Sequence, residues 1–288
     1  LGQIIPPSLV LILLADVLSS AYQQAQLNMG IFSPETVTIA ELFAGAVIPG
    51  IVLPILYVIY IKIFHKNLKV ASSTEDKLNL TKSFLPPILL IFLVLGSIIL
   101  GIATPSEAAS LGVFGALLIS LIQKQLNVNI LNNCSKETIK LTSMIFLILI
   151  GATLFSLVFR GLNGEEAIQS IFLDDSVDKF YTLLIVLLLM FLLGFILDFI
   201  EIIFIVIPIF GPILFTLGFD PVWIGILIGM ILQTSFLTPP FGFSIFYLRG
   251  VAPDDIDTRD IYKGVLPFVF IQLFVVVLIL LIPNLATL

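Results

Sequence analysis

Two stretches of 39 residues each, from Phe84 to Ile122 and from Tyr181 to Phe219, are apolar almost throughout, and they restrict the fold more than any other feature. A helix needs about 20 consecutive apolar residues to cross a hydrocarbon layer roughly 30 Å thick. Each stretch exceeds one crossing, and the runs Ile39 to Ile61, Leu141 to Phe159 and Val265 to Leu285 supply more. The chain is 59% apolar and 11% charged, where a soluble domain has about 45–50% and about 25%. Its mean hydropathy is +1.19, which excludes a water-soluble globule. A β-barrel needs short strands of alternating polarity, whereas these runs are continuous. The expected fold is an all-α polytopic membrane protein.

Charge placement gives a topology, because Lys and Arg collect on cytoplasmic loops. That rule assigns the segment with Lys62, Lys66, Lys69, Lys77 and Lys82 to the cytoplasm, together with a second basic loop at Lys124, Lys136 and Lys140. Between them, two crossings meet in a tight outer bend at Thr104-Pro105-Ser106-Glu107, since proline disfavours helix in its predecessor. The acidic segment Arg160 to Phe180 suits the outer face. Asp198 and Glu201 interrupt the second long stretch, followed by Pro208, Gly211 and Pro212. Crossing once as a tilted, broken helix, it leaves Arg249, Arg259 and Lys263 inside; crossing twice, it leaves them outside. The charge rule favours the single crossing. The expected partner is a lipid bilayer and not nucleic acid; the net charge of -6 would argue against nucleic acid in a soluble chain, but here the placement of Lys and Arg matters more than the sum.

The lone Cys134 can form neither an internal disulfide nor a thiolate cluster, and the lone His65 stands in the lysine-rich segment as a solvated surface residue. The chain opens on Leu1-Gly2-Gln3-Ile4-Ile5-Pro6-Pro7 with neither Met nor a charged leader, which reads as a fragment truncated at its N-terminus.

Of the three double prolines in the chain, Pro6-Pro7, Pro86-Pro87 and Pro239-Pro240, the first and third share a context. Pro6-Pro7 and Pro239-Pro240 each precede a short apolar limb, a polar loop and a full crossing, and the crossings open alike with Val47-Ile48-Pro49 and Val265-Leu266-Pro267. Such a gapped similarity is the mark of an old internal duplication. The first limb, Leu9 to Leu18, is too short to span alone. Proline has no N–H and clashes with the carbonyl one turn back, so the helix is expected to unwind at these two pairs. Unwound backbone at membrane depth survives only beside protein or a watery cavity. Freed carbonyls suit a hard cation such as Na⁺, and a helix starting just after the prolines turns its partly positive end toward an anion. The candidate site residues are therefore Pro6, Pro7, Ser8, Ser235, Thr238, Pro239, Pro240 and Gly242, with Na⁺ assigned to the Ser8 and Thr238 tips. Gln3, Gln233 and Thr234 flank them, and Thr104 and Ser106 form a secondary pair.

Asp198 and Glu201 add a second signal, because an ionised carboxylate at the centre of a spanning helix costs roughly 2.5 to 3.5 kcal/mol. Their i,i+3 spacing puts both on one helical face. That spacing suits an ion or proton site, or a cap on a broken helix; a position at the membrane surface is the plainer alternative. For Glu107, simple capping of a helix start is the favoured reading.

Three motifs, Leu1-Gly2-Gln3-Ile4-Ile5-Pro6-Pro7-Ser8, Gly101-Ile102-Ala103-Thr104-Pro105-Ser106-Glu107-Ala108-Ala109 and Leu237-Thr238-Pro239-Pro240-Phe241-Gly242, resemble in order and separation the large permease subunit of tripartite ATP-independent periplasmic (TRAP) transporters of C4-dicarboxylate type. The resemblance covers essentially the whole chain. It implies an inverted-repeat, elevator-type importer of organic acids in the bacterial inner membrane. It further implies sodium as coupling ion and no other cofactor, a small four-helix membrane subunit, and a periplasmic substrate-binding protein. By the same resemblance the double prolines are re-entrant hairpin tips, and Asp198 lies in a broken helix before the second hairpin. Glu201 departs from the better-known branches. The expected organisation is 1–21, second limb of the first hairpin; 22–83, a crossing and basic loop; 84–159, central crossings; and 160–288, the second repeat.

Rival classes fare worse. No HExxH, intramembrane histidine or GxxxxGK[ST] is present to support a membrane-embedded enzyme or a nucleotide hydrolase. A stand-alone sodium/anion symporter of similar hairpin architecture is the nearer rival.

Overall fold

The computed structural model describes residues 1–64, 74–173, 177–238, 242–252 and 256–287. His65, Lys66, Lys69, Pro239 and Pro240 lie outside the described residues. The regular structure is helical: α1 (Leu9–Asn28), α2 (Ile39–Phe64), α3 (Thr74–Ile99), α4 (Pro105–Ile122), α5 (Val128–Gly161), α6 (Gly164–Phe172) and α7 (Lys179–Leu193). Then α8 (Phe199–Glu201) runs through a π-helical stretch (Ile202–Val206) into α9 (Ile207–Thr216), followed by α10 (Pro221–Ser235), α11 (Phe243–Val251) and α12 (Thr258–Leu281). Among the described residues, five helical runs are long and apolar enough to cross a membrane: Ile39–Phe64, Pro105–Ile122, Val128–Gly161, Phe199–Thr216 and Thr258–Leu281. The all-α polytopic class holds.

Helices reach further than the apolar runs that seed them. The α1 helix continues past Leu18 through Tyr22 to Asn28, carried by Ala, Gln and Leu, which are good helix formers. Lys136 and Lys140 sit on α5 and not in a loop, so the second basic connection shrinks to residues 123–127. Charge near a helix end reports sidedness, not coil.

The chain divides into two compact units, Ile59–Phe146 and the combination of Leu1–Val58 with Leu147–Leu288. In the first of these, α3 and α4 form a hairpin with Leu90 packed on Gly115 and Val94 on Gly112. Its bend uses Gly101 at φ 67° and ends at Thr104. Thr104 accepts from the Glu107 N–H, while the Glu107 carboxylate accepts from the Thr104 N–H at 2.8 Å. This is a capping box, the role expected of Glu107.

The larger unit holds the correction. Lys179 Nζ lies 5.8 Å from the Phe219 ring at the start of α7 and α10, and Gly194 meets Ser235 where both helices end. Helices α7 and α10 are thus parallel, and the run Phe199–Thr216 between them must return antiparallel. Residues 181–219 form a hairpin with a tight turn at 194–198, not one tilted crossing. The physical reason is local. Asp198 and Glu201 form a capping box, which satisfies exposed amides at a new helix start and favours beginning a helix over continuing one.

A second reassignment follows at Pro239-Pro240. Trp223 Nε1 donates to the Ile279 carbonyl at 2.9 Å, which fixes the start of α10 beside the end of α12. From Ile279 back to Thr258 is about 31 Å of helix, while Trp223 to Ser235 is about 18 Å. The first turns of α12 therefore extend beyond α10, and α11 packs against α12 to bridge that gap. Helices α10 and α11 thus follow one another along α12 and do not fold back on each other as the two limbs of a hairpin. The two changes offset each other: Arg259 and Lys263, at the start of α12, face the side opposite the start of α7, which is where the charge rule put them.

In element order, α1 followed by α2 corresponds to α11 followed by α12 in the two copies expected from the sequence. The longer spacing in the first copy comes mostly from α1, 20 residues against 9 in α11.

Candidate functional site

Two helices start side by side at the centre of the larger unit. Ala21 packs on Gly211, and the Tyr22 and Phe215 rings meet edge to face at 5.3 Å. Because α1 and Phe199–Thr216 run parallel, the same thirteen-residue interval leads back from Ala21 to Ser8 and from Gly211 to Asp198. The N-caps Ser8 and Asp198 are therefore level. Phe199 contacts the Phe236 ring at 5.3 Å, which brings the second break to the same place.

Depth follows from the neighbours. Ile4 and Ile5 lie against Gly50, the twelfth of 26 residues in α2, so the first break is level with the middle of a helix long enough to span. The 15 residues of α10 cover about 22 Å, short of a ~30 Å core, so the second break is also internal. Its apposition depends on Gly194: a Cβ there would collide with the Ser235 hydroxyl and lie 2.7 Å from the Ser235 Cβ.

The two helix starts differ electrostatically. Helix α1 has no acidic residue in its first turn. Ser8, 1% exposed, accepts from the Leu11 N–H at 3.3 Å and donates to the Gln3 carbonyl, so its hydroxyl is engaged in capping. The partly positive end of α1 keeps its attraction for an anion. At Asp198 the carboxylate accepts from the Phe199 N–H at 2.7 Å, and Glu201 accepts from the Asp198 N–H at 3.2 Å. Two carboxylates there suit a cation.

The other predicted residues divide between these ends and elsewhere, with Pro239 and Pro240 outside the described residues. Pro6 is buried and Pro7 exposed, joined by a cis bond. Thr234 and Ser235 are buried and donate to the carbonyls of Met230 and Ile231. Thr238 donates to the Thr234 carbonyl at 2.7 Å, and buried Gly242 lies close to the carbonyls of Phe236 and Thr238. Gln233 is 2% exposed. Thr104 and Ser106 belong to the other compact unit, in a helix start. Among the described residues no three His, Cys, Asp or Glu side chains gather as a metal site. A hard cation would have to rely on mixed oxygens, and Gly50 is a further candidate, since Pro54 has no N–H to give its carbonyl. Gly50 and Gly194 were missed in the sequence; the signals were a proline four residues after Gly50 and a glycine closing an apolar run before Asp-x-x-Glu.

A family model described as "Tripartite ATP-independent periplasmic transporter, DctM component" matches residues 1–285. The uncharacterized protein YgiK of Salmonella typhimurium is 31% identical over 244 residues, 83% of this chain and 55% of that protein. The isethionate TRAP transporter permease protein DctMQ of Oleidesulfovibrio alaskensis is 27% identical over 85% of this chain and 39% of its own length. The C4-dicarboxylate TRAP transporter large permease protein DctM of Pseudomonas aeruginosa is 26% identical over 98% of this chain and 63% of its own. The chain thus spans between 39% and 63% of the length of these relatives. The family is one of transporter permease subunits, not of enzymes. By the match along residues 1–285, this chain belongs to the DctM component family of tripartite ATP-independent periplasmic transporters.

Proposed function

We propose that the chain forms the substrate-translocating part of a sodium-coupled permease that imports an organic acid across the bacterial inner membrane. It works with a small four-helix membrane subunit and a periplasmic binding protein, and moves its site in the elevator manner that the family resemblance implies. The observation that carries this reading is the pair of level helix starts beside two unwound breaks. One start, at Ser8, has no acidic residue in its first turn; the other, at Asp198 and Glu201, is doubly acidic. An anion at the first and Na⁺ near the second would each lower the cost of holding the other, which is coupling in its simplest form. Relatives named for a C4-dicarboxylate and for isethionate both handle organic anions, in keeping with a site that reads charge first.

The test is uptake by the full-length permease with its small subunit in liposomes, supplied with substrate-loaded binding protein. Accumulation is expected only with an inward sodium gradient. Equal uptake in sodium-free medium would reject the coupling, and uptake of free acid without binding protein would favour a stand-alone symporter.

A further inference from the structure

Gln233 is buried in the last turn of α10 with its side-chain carbonyl unpaired. It is 2% exposed, and its Oε1 has no hydrogen-bond partner among the described residues. A buried polar group left unpaired costs about 1–3 kcal/mol, and an amide at membrane depth has no bulk water to answer it. Such a group calls for a ligand.

Its direction comes from the helix it stands on. Gly225 packs against Leu18 and Leu42, and Gly229, one turn later, against Ile4, Leu11 and Leu14. Residues four apart share a helix face, so Gln233 is the next position on the face turned to α1. Since α10 runs antiparallel to α1, that step leads from Leu11 toward the Ser8 end and the first break. Gln233 therefore stands beside the α1 start at which the carboxylate is proposed to bind.

We infer that Gln233 is a specificity-determining residue that hydrogen-bonds an oxygen substituent next to the substrate carboxylate, so that the favoured cargo is a hydroxy acid over the corresponding unsubstituted acid. A hydroxyl both donates and accepts, so it satisfies the amide in either orientation of its Oε1 and Nε2. An unsubstituted acid leaves the amide unpaired, and a site built around a substrate hydroxyl rejects the analogue lacking it. The inference rests on the carboxylate-transport reading above.

The experiment measures sodium-dependent binding to the full-length permease and small subunit in nanodiscs, with malate against succinate, lactate against propionate, and glycolate against acetate. The native protein should prefer the hydroxy acid in at least one pair by about 10- to 100-fold. Gln233→Met, close in shape but without the amide, should bring that preference to within about 3-fold while keeping affinity for the plain acid; Gln233→Ala is read in the same way should the first variant not fold. Binding of both acids with no native preference, or a preference that survives both substitutions, overturns the role of Gln233 and leaves the transport reading standing. No sodium-dependent binding of any acid overturns both.

Discussion

The parallel packing of α7 and α10 makes a quantitative prediction at Gly194. A methyl group there would overlap the Ser235 hydroxyl, lie 2.7 Å from the Ser235 Cβ and 3.3 Å from the Phe191 carbonyl. The hydroxyl can rotate away, but the Cβ cannot, so the helix ends must separate by roughly 1 Å to restore ordinary contact. Overpacking of this kind costs about 1–3 kcal/mol, and Gly194→Ala should destabilise the permease by that amount. Ser235→Ala alone should be nearly neutral, because its hydroxyl bonds only back to the Ile231 carbonyl. Combining Gly194→Ala with Ser235→Ala should rescue little, since the offending Cβ remains. With Ser235→Gly, which itself costs about 1 kcal/mol as a helix glycine, Gly194→Ala should add almost nothing. The readout is reversible unfolding of the full-length protein in mixed micelles, analysed as a double-mutant cycle. Additivity of Gly194→Ala and Ser235→Gly within about 0.5 kcal/mol would refute the convergence of the two helix ends.

Asp198 separates capping from charge: Asp198→Asn keeps a side-chain acceptor and should retain stability to within a few tenths of a kcal/mol, while Asp198→Ala should lose about 1 kcal/mol. If the carboxylate also serves the cation, Asp198→Asn should weaken the sodium dependence of uptake, and an unchanged sodium titration would assign the residue to capping alone. Gln26, 4% exposed, clamps the segment after α1 by donating to the Glu35 carbonyl at 3.3 Å and accepting from the Glu35 N–H at 2.8 Å. Gln26→Ala should cost about 1–3 kcal/mol and raise protease cleavage within residues 29–38, and identical cleavage rates would rule out the clamp.

The sequence by itself determined the membrane class and the positions of most helices. Long apolar runs have one solution in lipid, and an Asp-x-x-Glu cap acts within a single turn, so both are legible without neighbours; a double proline is not, since Pro86-Pro87 lies inside the continuous helix α3 while Pro6-Pro7 precedes the start of α1. Which element turns back and which passes through was decided only by tertiary packing. A tight bend at 194–198 and a double proline both read as breaks in an apolar run. What distinguishes them is contact between residues far apart in the chain: Gly194 on Ser235, Lys179 over Phe219, and Trp223 to the Ile279 carbonyl. The level pairing of Ser8 with Asp198 has the same origin. Each cap is written locally, but their shared height depends on α1 and Phe199–Thr216 packing in register through Ala21 and Gly211, where a missing side chain lets one helix approach the other.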